Sequence, residues 1–151
     1  MTITAAQVKE LRERTGLGMM ECKGALAETQ GDMNAAIDLL RKKAGSKVEK
    51  KAGRTASEGA IGVYASPDRK QAVMVEVNSE TDFVAKGDDF QAFANAVAAA
   101  IARHKPADVN AVADIKLDSG ETVAKTREGL VAKLGENISV RRFARLAAAS
   151  G

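Results

Sequence analysis

The residues best placed to act on another molecule lie in the run Thr81-Asp82-Phe83-Val84-Ala85-Lys86. An aromatic ring stands beside a carboxylate where a strand-like segment, Ala72-Val73-Met74-Val75-Glu76-Val77, gives way to a helix opening at Asp88. Binding groups gather on such junctions, whereas Phe is usually buried. Phe83 is therefore either a plug for the local core or a wedge aimed at a partner, and burial habits alone favour the plug. Bond-making chemistry has less support. His104 is the single histidine and stands at a helix end among charged neighbours, a place where an exposed His is stabilised. No Ser/His/Asp or Cys/His set can be built around it. Cys22 is the only cysteine, so it has no internal disulfide partner and no companions for a metal site. It reads as an inert buried residue on a helix. Asp88-Asp89 and the pair Glu80 and Asp82 occupy helix-start positions that favour negative charge in any case. Neither GxGxxG nor GxxxxGK[ST] occurs, so the chain is not expected to bind a nucleotide or another cofactor itself.

Three stretches carry a family resemblance. Asn78-Ser79-Glu80-Thr81-Asp82-Phe83-Val84-Ala85-Lys86 is similar to a signature of the bacterial elongation factor Ts family. Val8-Lys9-Glu10-Leu11-Arg12-Glu13-Arg14-Thr15-Gly16, followed by Gly18-Met19-Met20-Glu21-Cys22-Lys23, resembles its other signature, and Gly135-Glu136-Asn137-Ile138-Ser139-Val140-Arg141-Arg142 resembles a third family stretch. The three come in family order and span most of the chain, from Val8 to Arg142. The resemblance implies a cytoplasmic bacterial guanine nucleotide-exchange factor, without catalytic chemistry of its own. Such a protein binds elongation factor Tu and promotes GDP release by disturbing that partner's Mg²⁺ and phosphate site. It further implies that Thr81, Asp82, Phe83 and Val84 intrude near this Mg²⁺ site, with Phe83 as wedge and Asp82 as polar disruptor. Arg12, Met19 and Met20 are the docking residues it implies in the N-terminal part. Family members continue well past the third stretch, so the chain is expected to be an N-terminal portion, and the sheet edge after Leu146 can pair with another copy.

Composition bounds the alternatives. The 151 residues are 45% apolar but only 3% aromatic, which suits a thin, Ala-rich helical core within one ordinary domain or two small ones. No apolar run approaches the roughly 18 residues that would span a membrane, and the N-terminus lacks a secretory pattern. Charge is local. Residues 41–54 hold seven basic side chains and one acidic, a net of +6 in a chain of net +3, so the remainder is net −3. Such a run could meet nucleic-acid phosphates, yet it has no interleaved aromatics for stacking bases, and a solvated basic linker is the simpler reading. Nucleic acid is thus not expected as the primary partner. An RNA-binding protein acting through 41–54 and a plain docking module without exchange activity remain the alternatives.

The elements that must position these groups follow from periodicity. The pattern predicts an α+β protein: a three-helix bundle over 1–45, a basic linker over 46–58, and a small antiparallel sheet covered by helices over 59–151. By the family resemblance the bundle is similar to a ubiquitin-associated-type domain and the sheet part to a truncated dimerisation-type core subdomain. Thr4 with Gln7 forms a capping box, Ile3 and Val8 a hydrophobic staple, and Gly16 a stop. A second helix runs from Met19 to Thr29 with Met19, Cys22 and Leu26 on one face; Met20 falls off that stripe, as a contact residue or as core filling. Asp32 caps a third helix, with Met33, Ala36, Ile37 and Leu40 at helical spacing. Lys47 to Ala52 contains no breaker, so part of the linker can be helical. Ile61, Val63 and Ala65 alternate as a strand, Ser66-Pro67-Asp68 turns the chain, and Ala72–Val77 returns as a hairpin partner. Asp88 opens a helix lined by Phe90, Phe93, Ala94, Val97, Ala100 and Ile101 and ended at Lys105-Pro106. A further helix spans Glu121–Leu134, stopped by Gly135. A third strand covers Ile138–Ala147, with Ile138, Val140, Ala144 and Leu146 mostly on one face.

Overall fold

A computed structural model describes residues 2–148; the last three residues of the expected core subdomain lie outside the described residues. Three helices come first: α1 (Ala5–Thr15), α2 (Met19–Glu28) and α3 (Met33–Lys51). A hairpin of β1 (Glu58–Ala65) and β2 (Gln71–Ser79) leads into the single turn α4 (Asp82–Ala85) and the long helix α5 (Asp88–His104). The short α6 (Val109–Val112), α7 (Val123–Leu134) and β3 (Ser139–Ala147) complete the chain. The fold is α+β, with the antiparallel sheet in the order β1-β2-β3.

Local chemistry explains the N-terminal bundle. Thr4 and Gln7 form the reciprocal capping box at α1. Gly16 closes α1 at φ +70°, a left-handed conformation that glycine adopts without a Cβ penalty. Asp32 caps α3 by accepting from the Ala35 amide at 2.9 Å. Leu11, Cys22, Ala25, Leu26 and Ala36 are fully buried between the helices. Met19 departs from the expected inward stripe. It lies 58% exposed, while Leu17 just before α2 takes a place in the bundle core.

The basic segment is structured by its own counter-charges. α3 continues without interruption to Lys51, and Val48 on it packs against the core of the sheet domain. Arg41 meets Glu121 at 3.1 Å, Lys43 meets Glu28 at 2.8 Å, Lys47 pairs with Glu21, and Arg54 lies 3.5 Å from Glu80. Lys51 donates to the Gly135 carbonyl at 2.8 Å. Arg41 and Lys51 therefore fasten α3 to the C-terminal half, while Lys43 and Lys47 fasten it to α2.

The second core lies between the sheet and its helices. Val73, Val75 and Val77 on β2 face Phe90, Val97 and Ile101 on α5, with Val123 and Val131 on α7 closing the layer. Gly62 lets β1 press onto α5: a Cβ there would meet the Ala94 carbonyl oxygen at 2.1 Å. The other sheet face carries exposed Ile61, Val63, Met74 and Leu146. The expected inner face of the third strand needs correction. Val140 pairs with Val77 but Arg142 pairs with Glu76, so Arg141 is an extra residue at a bulge. Alternation is shifted by one beyond it, Phe143 packs on the core, and Ala144 and Leu146 turn outward. Arg141 and Arg142 both reach the Glu76 carboxylate, at 3.4 and 3.2 Å, and brace the bulge.

Candidate functional site

The Thr81–Lys86 run folds as a separate turn rather than as the start of the long helix. Thr81 is extended and its Oγ1 accepts from the Val84 amide at 3.3 Å, which starts α4. Gly87 then breaks the helical path, and α5 begins at Asp88. Val84 and Ala85 point down and are buried in the sheet core. Phe83 points out and is 85% exposed. The plug reading of Phe83 is thus excluded in this chain, since Val84 and Ala85 fill that space. Asp82 is exposed beside it, and its Oδ2 accepts from Lys86 Nζ at 3.0 Å. The hydrogen bond from Lys86, aided by that ammonium's charge, holds the Asp82 carboxyl below the usual carboxylate range. The turn therefore presents a bare aromatic ring and a firmly ionised carboxylate side by side.

Residues far along the chain hold this turn in place. Glu136 accepts from the Thr81 amide at 3.0 Å and from the Thr81 hydroxyl at 2.7 Å. The Asn137 amide in turn donates to Glu80 at 2.8 Å, and the Asn137 side chain donates to the Arg54 carbonyl at 2.8 Å. Ser79, fully buried, donates to the Thr81 carbonyl at 2.9 Å. Sequence reasoning matched Glu136 and Asn137 to a family stretch without giving them a contact. The available signal was the pairing of two quoted stretches, Glu80-Thr81 and Glu136-Asn137, whose partners are 55 and 57 residues apart.

The other predicted residues lie on the bundle, where Met19 and Met20 make a second surface at the start of α2. Met20 is 75% exposed, Met19 is exposed beside it, and Arg12 is exposed on α1. Glu21 caps α2 by accepting from the Gly18 amide at 3.3 Å, and its bond from Lys47 lowers its pKa. Lys133 spans the space between the two surfaces. Its ammonium lies 2.8 Å from Asp89 at the start of α5, and its stem lies against Gly16, where an added Cβ would stand 3.2 Å away. His104 and Cys22 join neither surface: the first is exposed at the end of α5, the second buried in the bundle.

Comparison with known proteins decides the lineage. The family model described as elongation factor TS matches residues 80–151, a span that includes the exposed turn and its clamp. The chain is 60% identical over its full length to an elongation factor Ts from Thioalkalivibrio sulfidiphilus. This chain belongs to the elongation factor Ts family. It is also 58% identical over 98% of its length to an elongation factor Ts from Arthrospira platensis, and 54% identical over its full length to one from Methylococcus capsulatus. It spans 51%, 60% and 52% of those three relatives, so it corresponds to about half of a family protein. No described helix is long and apolar enough to cross a membrane.

Proposed function

We propose that this chain acts in guanine nucleotide exchange during translation elongation, binding elongation factor Tu and promoting GDP release by disturbing its Mg²⁺ and phosphate site. The observation that carries the reading is Phe83, 85% exposed on a turn whose neighbours Val84 and Ala85 are anchored in the core. Solvating a bare aromatic ring costs free energy that burial in a partner recovers, about 1.5–3 kcal/mol for a Phe side chain. A GTPase holds its nucleotide through a phosphate loop and Mg²⁺. Any partner that prefers the nucleotide-free form weakens nucleotide by the factor that nucleotide weakens the partner. A thousandfold loss of affinity requires about 4 kcal/mol of such coupling. Phe83 supplies a large part as wedge, Asp82 supplies repulsion toward phosphate and competition for Mg²⁺, and Val84 is the buried anchor beneath them. Arg12, Met19 and Met20 dock the bundle on the partner, so that the wedge acts within a complex already formed. No covalent step is needed, and the role assigned is that of an exchange factor rather than a catalyst of bond chemistry.

Nucleic acid is the weaker candidate partner, because four of the seven basic residues in 41–54 pair with Glu21, Glu28, Glu80 and Glu121 within the chain. Self-association is assigned to the free edge of β3; the β1 edge is closed at Val63, whose amide donates to Asn95 on α5 at 3.2 Å. The deciding test is stopped-flow release of fluorescent GDP from elongation factor Tu with increasing amounts of this chain. Concentration-dependent acceleration is expected. Unchanged release at saturating binding would overturn the exchange reading and leave a docking module.

A further inference from the structure

We infer that Glu136 is the positioning residue of the exposed turn, holding Phe83 in the orientation in which it meets a partner; the inference rests on the exchange reading above. Glu136 bonds to Thr81, the residue that opens the turn, and acts on Phe83 and Asp82 through it. Its two carboxylate oxygens take the Thr81 amide and the Thr81 hydroxyl, at 3.0 and 2.7 Å. The hydroxyl spends its proton on Glu136, which leaves its lone pairs to the Val84 amide at 3.3 Å. One carboxylate thereby orients the cap that starts α4. Glu80 returns the arrangement from the other side by accepting the Asn137 amide at 2.8 Å, so each loop lends a carboxylate to the other's backbone.

A turn of four residues needs such help. Isolated helical turns are unstable because nucleation fixes several dihedrals for one hydrogen bond. Val84 and Ala85 fix the inner side of α4 by burial, but burial does not set the direction in which Phe83 leaves the surface. Charge-assisted bonds to the residue that opens the turn do set it. The loop holding Glu136 is itself fastened: Lys51 donates to the Gly135 carbonyl at 2.8 Å and Asn137 donates to the Arg54 carbonyl at 2.8 Å. The clamp thus joins the end of α3, the end of α7 and the exposed turn.

The test separates positioning from folding. GDP release from elongation factor Tu is titrated with wild type, Glu136→Ala, Glu136→Gln, Thr81→Val and the double variant Glu136→Ala/Thr81→Val. The saturating rate is read apart from the half-saturating concentration. Glu136→Ala, which deletes both bonds to Thr81, is expected to lower the saturating rate at least about tenfold, with half-saturation shifted less than about threefold because the bundle surface still docks. Glu136→Gln retains one acceptor for the Thr81 amide, and an N–H₂ that the hydroxyl can accept from, so it is expected to restore most of the rate. The two single losses should not add in the double variant. Amide exchange at Thr81 and Val84 is expected to quicken in Glu136→Ala while amides of β2 stay protected. An unchanged saturating rate, a loss confined to half-saturation, fully additive losses, or unchanged amide exchange would each overturn the assignment. Phe83→Ala serves as the control on the exchange reading. If that variant releases GDP as fast as wild type, the wedge reading fails, while amide exchange at Thr81 and Val84 still decides whether Glu136 orders the turn.

Discussion

Two helix starts in this molecule present bare apolar side chains, and they are held in opposite ways. The turn before α2 shows Met19 and Met20, and its backbone is set from within a few residues by Gly16 in the left-handed conformation, Leu17 as the plug and Glu21 capping the Gly18 amide, with Lys47 on Glu21 and the Lys133 stem against Gly16 as props from farther along the chain. The turn at α4 shows Phe83, and its supports come from Glu136 and Asn137, more than fifty residues away. The side chains differ accordingly. Methionine is flexible and adapts to a surface; a phenylalanine ring is rigid and exerts force only if its base is fixed. A locally held turn suits a docking surface that adjusts, and a turn clamped by distant loops suits a group that must displace something.

The comparison is open to direct attack. The largest effect is expected from Phe83→Ala. If the partner buries the ring as proposed, its removal should slow saturating GDP release by about ten- to a hundredfold, from roughly 1.5–3 kcal/mol of lost contact. Because the ring is exposed, unfolding free energy should stay within about 0.5 kcal/mol of wild type. A parallel fall in thermal stability would mean that Phe83 supports the fold, and the contrast between the two turns would fail.

Gly16→Ala attacks the locally held turn. A residue with a Cβ at φ +70° costs about 1–2 kcal/mol, and here the Cβ also stands 3.2 Å from the Lys133 stem. Calorimetry should show a melting temperature lower by about 2–8 °C. The amides of α4 should keep their protection, since this turn takes no support from Gly16.

Thr81→Ala attacks the distant clamp. It deletes the cap on Val84 and the hydroxyl bonded to Glu136, and a lost cap costs about 1 kcal/mol. Faster amide exchange confined to α4 and the 135–137 loop would support the long-range clamp. Exchange spread evenly over the bundle would break it.

The smallest effect concerns charge at the docking turn. The bond from Lys47 depresses the Glu21 pKa below 4.5, so its stabilisation is complete above the unfolded value and fades as pH falls through the lower folded value. Both side chains are about 40% exposed, so Glu21→Gln should cost only a few tenths of a kcal/mol at pH 7. Urea titrations should show that difference vanish well below pH 4.5. For Asp82 the same sign keeps the carboxylate charged through neutral and mildly acidic pH, so the part proposed for it in release should not vary between about pH 6 and 8.

Much of this was legible one segment at a time. The Thr4–Gln7 box, the stops at Gly16 and Gly135, the Asp32 cap and the apolar stripe of α5 are local agreements between side chain and backbone, and they reappear as read. The three family-like stretches pointed to the surfaces around Met20 and Phe83. Three things escaped. Met19 seemed part of an inward stripe, but periodicity cannot tell where a bundle ends. Ala144 and Leu146 seemed to share a face with Val140, but one extra residue at Arg141 turned them outward, and nothing in an alternating pattern marks a bulge. The short helices α4 and α6 leave no mark in the pattern, because four residues are too few for a helical stripe to show.

By itself the sequence determined the longer elements, the pairing of β1 with β2, the basic character of residues 41–54 and the family. All of these depend on neighbours three or four residues apart or on whole-stretch similarity. Only the tertiary structure decided that Phe83 is bare while Val84 is buried, that the basic residues of α3 answer acids on α2 and before α7, and that Glu136 meets Thr81. The reason is physical. Burial and charge-assisted hydrogen bonds belong to pairs brought together by the folded chain, and a pair separated by 55 residues leaves no periodic trace in either segment.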